Sequence, residues 1–286
     1  MELDHYLPQI EEIVQNALDE DLKNGDITTA PLVPVHKQGS ARFLAKATGV
    51  LAGMDIMSIV FQKVDPFLKF SALVNDGSKI KPGMVLGTVD GGVSSILKSE
   101  RTALNILQHM SGIATLTASY VDAVRGLPAK ILDTRKTLPG LRLLEKYSVT
   151  MGGGTNHRIN LGDMVLIKDN HIAISRQDGL DISDIIRLAR SKSPQNIRIE
   201  IETTTPQEAL IAAEAGADIV MLDNMALDAM RKAVQLINHR AIVEASGGVN
   251  LQSVRPIAET GVDWISVGAI THSAPALDIS LKLLNL

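Results

Sequence analysis

Residues 130–172 read KILDTRKTLPGLRLLEKYSVTMGGGTNHRINLGDMVLIKDNHI, and the punctuation of this stretch decides the fold. A short apolar run, Ile131-Leu132, stops abruptly at Asp133-Thr134-Arg135-Lys136. A glycine triplet, Gly152 to Gly154, leads into Asn156-His157-Arg158. A second apolar run, Met164 to Ile167, stops at Lys168-Asp169-Asn170-His171. Cations therefore stand three times just past stiff or glycine-rich elements. Guanidinium forks match carboxylates and phosphates, and lysine supplies a point charge for phosphate. The pattern points to a seat for a small polyanion. A merely solvated basic surface has no reason to recur at strand ends.

Toward the C-terminus the same rhythm continues. Apolar runs recur at Lys130–Leu132, Met164–Ile167, Ile197–Ile201, Asp218–Leu222, Ala241–Glu244 and Asp263–Val267. Amphipathic helices are expected between them at 181–192, 206–215, 226–238 and 250–259. Thr205-Pro206 supplies a cap and a first-turn proline, and Gly216 and Gly261 stop two helices. Such alternation means a parallel sheet with right-handed crossovers. Every run ends in polar or glycine chemistry. In an open sheet only the strands at the switch point need do so, whereas in a barrel all ends surround one mouth. A closed parallel α/β barrel of about six or seven strands is the expected fold.

Within that mouth, period-two geometry puts Glu200 and Glu202 on one face, where Asp223 could join them. Carboxylates without a His or Cys partner suit Mg2+ held partly through water. Acids lining the barrel and tied to Arg135, Arg158 and Lys168 are the structural alternative. Ser246-Gly247-Gly248 and Val267-Gly268-Ala269 each follow a strand and precede a helix. Neighbouring loops of this kind can cradle one phosphate with backbone N–H groups. His157 reads as an anion donor or a general acid, the glycine triplet as a phosphate loop or a hinge, and Trp264 as barrel wall.

The N-terminal side carries less chemistry. A helix over 7–22, a strand over 40–48, a helix over 54–64 and strands over 67–74 and 84–89 make a small α+β unit. A helix over 97–125 follows, broken near Ser111-Gly112 and opened by Glu100-Arg101, read as an ordinary first-turn ion pair. Three segments result: an N-terminal α+β domain over 1–110, the barrel over 111–270, and a C-terminal helix over 271–286 that packs back on the N-terminal domain.

Composition sets the outer bounds. With 286 residues and 45% hydrophobic content the chain can bury a large core. A net charge of -4 argues against a general nucleic-acid surface, so the local cations answer to a small ligand. The absence of cysteine removes thiolate nucleophiles and Cys-ligated zinc. The start MELDHYLPQIEEIV is acidic and lacks an apolar signal core, and no apolar run is long enough to span a bilayer. A cytoplasmic protein is expected.

Taken together the motifs resemble the quinolinate phosphoribosyltransferase family (nicotinate-nucleotide pyrophosphorylase, carboxylating). The residues that carry the resemblance are Glu100-Arg101-Thr-Ala-Leu-Asn, Asp133-Thr-Arg-Lys-Thr137, Asn156-His157-Arg158 after the glycine triplet, Leu161-Gly-Asp163 and Lys168-Asp-Asn-His171. Glu200-Ile-Glu202, Leu222-Asp-Asn224 and Glu244-Ala-Ser-Gly-Gly248 complete the series, in that order. The resemblance implies a sandwich-like N-terminal domain joined to a barrel of fewer than eight strands. It implies transfer of a phosphoribosyl group from 5-phosphoribosyl 1-pyrophosphate to quinolinate, with loss of CO2, in NAD biosynthesis. It also implies a homodimer or hexamer in which Arg101 reaches the neighbouring subunit's site. Residue by residue, Arg135, His157, Arg158 and Lys168 would form the quinolinate pocket, with Thr134 and Lys136 facing substrate or pyrophosphate. Glu202 and Asp223 would be the ribose and Mg2+ carboxylates, and Ser246, Gly247, Gly248, Val267, Gly268 and Ala269 the 5-phosphate cradle. Lys136, Lys168, Glu202 and Asp223 are the expected catalytic set. Two other functions fit the residues: a related transferase with another anionic acceptor, such as nicotinate or a molybdenum-associated ligand, and a non-catalytic phosphometabolite sensor.

Overall fold

The computed structural model describes residues 3–284. In chain order the helices and strands are α1 (Leu7–Leu22), α2 (Thr29–Leu32), β1 (Gln38–Ala45), β2 (Gly49–Val50), α3 (Met54–Val64), β3 (Lys69–Ala72), β4 (Lys79–Ile80), β5 (Val85–Gly92) and α4 (Val93–Ala123). There follow β6 (Lys130–Leu132), α5 (Arg142–Met151), β7 (Val165–Ile167), α6 (Asp169–Gln177), α7 (Ile182–Lys192), β8 (Ile199–Thr203), α8 (Pro206–Glu214) and β9 (Ile219–Asp223). The chain ends with α9 (Leu227–Ile237), β10 (Ile242–Ser246), α10 (Val254–Ala258), β11 (Trp264–Ser266), α11 (Ala269–His272) and β12 (Ile279–Leu284). Two compact units emerge. One takes the chain up to Ala118, Thr137–Gly153 and the chain from Ile270 onward; the other takes Ser119–Lys136 and Gly154–Ala269.

In the first unit an antiparallel sheet runs β12-β1-β5-β3. Alternation along β1 puts Ala41, Phe43 and Ala45 inside. Phe43, Phe61 and Phe70 meet there with ring centroids 5.6–6.1 Å apart. The stripe Ile10, Val14, Leu18 on α1 is buried in the same core. Asp76, in the turn Asn75-Asp-Gly77, accepts from the N–H groups of Gly53 and Met54 at 2.7 and 3.0 Å and so caps α3.

Three expectations are corrected here. Helix α4 is continuous through Ser111-Gly112. Buried Ser111 Oγ contacts the backbone of Ala52, and the bare face of Gly112 lies against Pro275: a Cβ there would come within 3.0 Å of the Pro275 carbonyl carbon. The small pair allows close packing and does not break the helix. Because α4 begins at Val93, Glu100-Arg101 also lies well past its first turn. The C-terminal segment is β12, not a helix. It pairs antiparallel with β1 from Ser40↔Leu284 to Ala45↔Ile279, so sheet pairing overrides the helix propensity of its Leu and Lys residues.

The second unit holds the parallel sheet β6-β11-β10-β9-β8-β7. Consecutive strands β6 and β7 stand at opposite edges of this order, and among the described residues no ladder joins them. Thr155 forms a parallel bridge to Leu132 at the seam between them. The apolar strand residues Ile199, Ile201, Ile219, Val220, Leu222, Ala245 and Ile265 are fully buried. That is the signature of strands covered on both faces. The expected barrel is therefore present with six laddered strands.

Candidate active site

The C-terminal ends of these strands enclose a cavity of about 480 Å³. Thr134, Arg135 and Lys136 enter it after β6, Lys168 after β7, Glu202 from β8, Asp223 from β9, and Ser246, Gly247 and Gly248 from β10. His157 and Arg158 enter from the loop that follows the seam. Buried Asp133 sets that loop: it accepts from Asn156 Nδ2 at 2.6 Å and from the His157 N–H at 2.8 Å. Strand β6 thus ends in an acid that aims the next cations.

The cations of the mouth stand among carboxylates and backbone acceptors. Arg158 is buried and donates to the Met164 carbonyl at 3.1 Å. Burial, and then the neighbouring Arg135 guanidinium, lower its pKa. Arg135 Nε is itself buried without a hydrogen-bond partner in the described structure. Lys168 Nζ lies 3.9 Å from Glu202 Oε1. The second Glu202 oxygen accepts from the Asp169 N–H at 3.0 Å, at the start of α6.

Below the cationic mouth lies a buried ion cluster. His157 Nε2 is 3.1 Å from Glu200 Oε2 and 3.3 Å from Glu244 Oε2. Both carboxylates are wholly buried. These are ion-pair approaches rather than aligned hydrogen bonds, since the same atoms have no hydrogen-bond partner of good geometry. Burial disfavours charge on His157, but the two carboxylates outweigh it and raise the pKa to about 10. Burial raises Glu200 in turn, against the pull of His157. His157 is thereby held as a cation, and its ring meets Trp264 edge-on at 6.4 Å.

Most of the residues chosen from sequence come together here: Thr134, Arg135, Lys136, His157, Arg158, Lys168, Glu202, Asp223, Ser246, Gly247 and Gly248. Val267, Gly268 and Ala269 do not line the cavity in the described structure; Ser266 does. Val267 is buried, its N–H bonded to the Leu132 carbonyl at 2.9 Å. Arg101 stands on α4 in the first unit and lines a different cavity, of about 290 Å³, with Glu20, Asp21 and His109. The glycine triplet closes α5, and Gly152 lets that helix approach Thr117 on α4. Glu244 and Asn224 stand in the quoted motifs but receive no role from the sequence. Period two along β10 puts Glu244 on the face of Ser246, a legible signal, whereas its contact with His157 depends on the folded barrel.

Glu202 and Asp223 were the expected metal ligands. The grouping with metal-like spacing among the described residues is instead His157, Glu200 and Glu244. A positive imidazolium already occupies that cluster, so it is poorly suited to a second cation. Glu202 and Asp223 face the cavity with oxygen donors only, as a hydrated divalent ion bridged to phosphates requires.

A ring of parallel strands with cations, carboxylates and a glycine loop at one mouth defines an α/β-barrel enzyme for anionic, phosphate-bearing substrates. Family profiles narrow the class. Residues 26–111 match the N-terminal domain and 113–282 the C-terminal domain of quinolinate phosphoribosyl transferase. The chain belongs to this family. It is 43% identical, over 98% of its length and 83% of the relative, to quinolinate phosphoribosyltransferase (decarboxylating) 2, mitochondrial, of Nicotiana glauca. It is 42% identical to the Mycobacterium leprae nicotinate-nucleotide pyrophosphorylase (carboxylating), covering 94% of this chain and 95% of that one. The crystal structure of NadC from Streptococcus pyogenes superposes with a TM-score of 0.92 at 40% identity, covering 97% of this chain and 98% of that chain.

Proposed function

We infer that the chain joins quinolinate to 5-phosphoribosyl 1-pyrophosphate, releasing nicotinate mononucleotide, pyrophosphate and CO2. The observation that carries this reading is the apposition of Arg135 and Arg158 in one pocket, beside Lys168 and a cationic His157. Like charges held this close call for a ligand with more than one negative group, and quinolinate is a dianion. Ser246-Gly247-Gly248 offers backbone N–H groups to the 5-phosphate. Lys136 neutralises the departing pyrophosphate. Glu202 and Asp223 favour the positive charge that develops at the ribose carbon. Once the ring nitrogen is alkylated, its positive charge stabilises the carbanion left when the adjacent carboxylate departs as CO2, and that carbon then takes a proton from water. No strong acid–base pair is needed; positioning and electrostatics suffice.

A divalent ion fits the family chemistry, and Mg2+ held by Glu202 and Asp223 is the form proposed here. It would supply charge to the pyrophosphate. The proposed assembly is a homodimer, or a hexamer built from dimers, with Arg101 completing the neighbour's site. Arg101 is exposed on α4, and Ile27, Leu32 and Val35 present large apolar side chains to solvent, as a subunit interface would. No described helix is long and apolar enough to cross a membrane. A cytoplasmic location is part of this proposal; the tobacco relative's name places that protein in mitochondria. The direct test incubates the protein with both substrates and carboxyl-labelled quinolinate. Release of labelled CO2 that requires 5-phosphoribosyl 1-pyrophosphate is expected. Release without the sugar donor, or none with both, would refute the reading.

A further inference from the structure

Strands β9 and β10 run in parallel register with Asp223 opposite Ser246. The next residue, Asn224, turns into the left-handed region at φ 52, one of three non-glycine residues with positive φ among those described. Asparagine tolerates that conformation better than other L-residues with side chains of its size. Three contacts hold it there. Its N–H donates to the Ser246 carbonyl at 2.9 Å. Its side-chain Nδ2 donates to Asp223 Oδ2 at 3.0 Å. Its amide also lies against Gly247, where an added Cβ would come within 2.5 Å of Asn224 Cγ. The carboxylate can only accept, so the amide nitrogen must face Asp223 and the amide oxygen is left toward Gly247.

We propose that Asn224 is a positioning residue for phosphoribosyl transfer, fixing the Asp223 carboxylate relative to the Ser246–Gly248 loop. The proposal rests on the functional reading above, in which Asp223 serves the ribose and the loop holds its 5-phosphate. Those two ends of one sugar must be gripped at a constant spacing for the reacting carbon to be in line. Asn224 is the side chain that touches both grips. It binds one Asp223 oxygen and so leaves the other for the ligand.

The test uses two variants of the full-length chain. Asn224→Gly keeps the left-handed backbone and removes the amide. Asn224→Asp keeps the shape and replaces the donor with a second carboxylate beside Asp223. Both should retain the wild-type circular dichroism spectrum. The kcat should fall about 10-fold in Asn224→Gly and about 100-fold in Asn224→Asp, as loss of orientation and added charge repulsion require. KM for 5-phosphoribosyl 1-pyrophosphate should rise in both, with KM for quinolinate within about twofold of wild type. A merely structural need for positive φ would leave Asn224→Gly at wild-type kinetics, and that result overturns the proposal alone. Equal rises in both KM values would also overturn it. Wild-type protein that releases no CO2 would remove the functional reading, and this proposal with it.

Discussion

The proposed dianion pocket depends on two neighbouring guanidinium groups, Arg135 and Arg158. Burial and then the Arg135 guanidinium lower the pKa of Arg158, so an entering dianion would favour its charged form. Arg135→Ala should leave the melting temperature near wild type while kcat/KM for quinolinate falls by about two to three powers of ten, the scale of losing one partner from a buried charge pair. Steady-state kinetics checks this, and near-normal turnover would remove Arg135 from the pocket. His157 makes a second prediction. Its pKa is raised from the ordinary 6.5 to about 10. A raised histidine contributes its full share of stability below the unfolded value near 6.5; that share declines from there and is gone above about 10. The melting temperature should therefore fall as pH rises from about 7 to 10, other groups equal. The imidazole nitrogens of His157 should report imidazolium by ¹⁵N NMR at about pH 8.5. A neutral tautomer at that pH would contradict the ion cluster.

Among the elements, helix α4 shows where packing overrules local preference. Ser111-Gly112 looks like a break in the sequence, yet Gly112 is needed because Pro275 and Ala276 occupy the space a side chain would fill. Gly112→Ala should improve helix propensity and still destabilise the protein, by about 1–3 kcal/mol, because overpacking outweighs the smaller backbone gain. A lower urea midpoint would confirm the sign; a higher one would show that the contact yields. The same contrast explains what could be read in advance. Parallel barrel strands are buried on both faces, so they appear as short apolar runs, and their polar ends mark the mouth. Thr134 to Lys136 and Lys168 were visible for that reason. Strand β12 was not, because antiparallel pairing with β1 is a long-range property that Ile279 to Leu284 do not encode by themselves. Helices α5 and α6 receive no assignment from the sequence, since their residues lie inside a stretch read for its motifs. The partnership of Glu200 and Glu244 with His157 joins three separate segments, and only the folded barrel brings them within 3.3 Å.

For the whole molecule, the proposed role of Arg101 requires a second chain, because in the described chain Arg101 does not line the cavity of the second unit. In the described chain it borders the cavity of the first unit, while the substrate cavity is built from residues of the second. A two-fold dimer would let each chain lend its Arg101 to the other, since an isologous contact repeats every loan in reverse. Subunit mixing decides the matter. Arg101→Ala and Lys168→Ala homodimers should each be nearly inactive. In a mixed dimer, one site would receive Arg101 from the Lys168→Ala chain and Lys168 from the Arg101→Ala chain, and would be intact. Its companion would lack both cations. Equal mixing makes half the dimers heterodimers, each with one good site in two, so activity should recover to about a quarter of wild type. If Arg101 acts within its own chain, every site in the mixture lacks one cation and no recovery occurs. A heterodimer verified by differential tags and native mass spectrometry yet still inactive would therefore place Arg101 outside its neighbour's site.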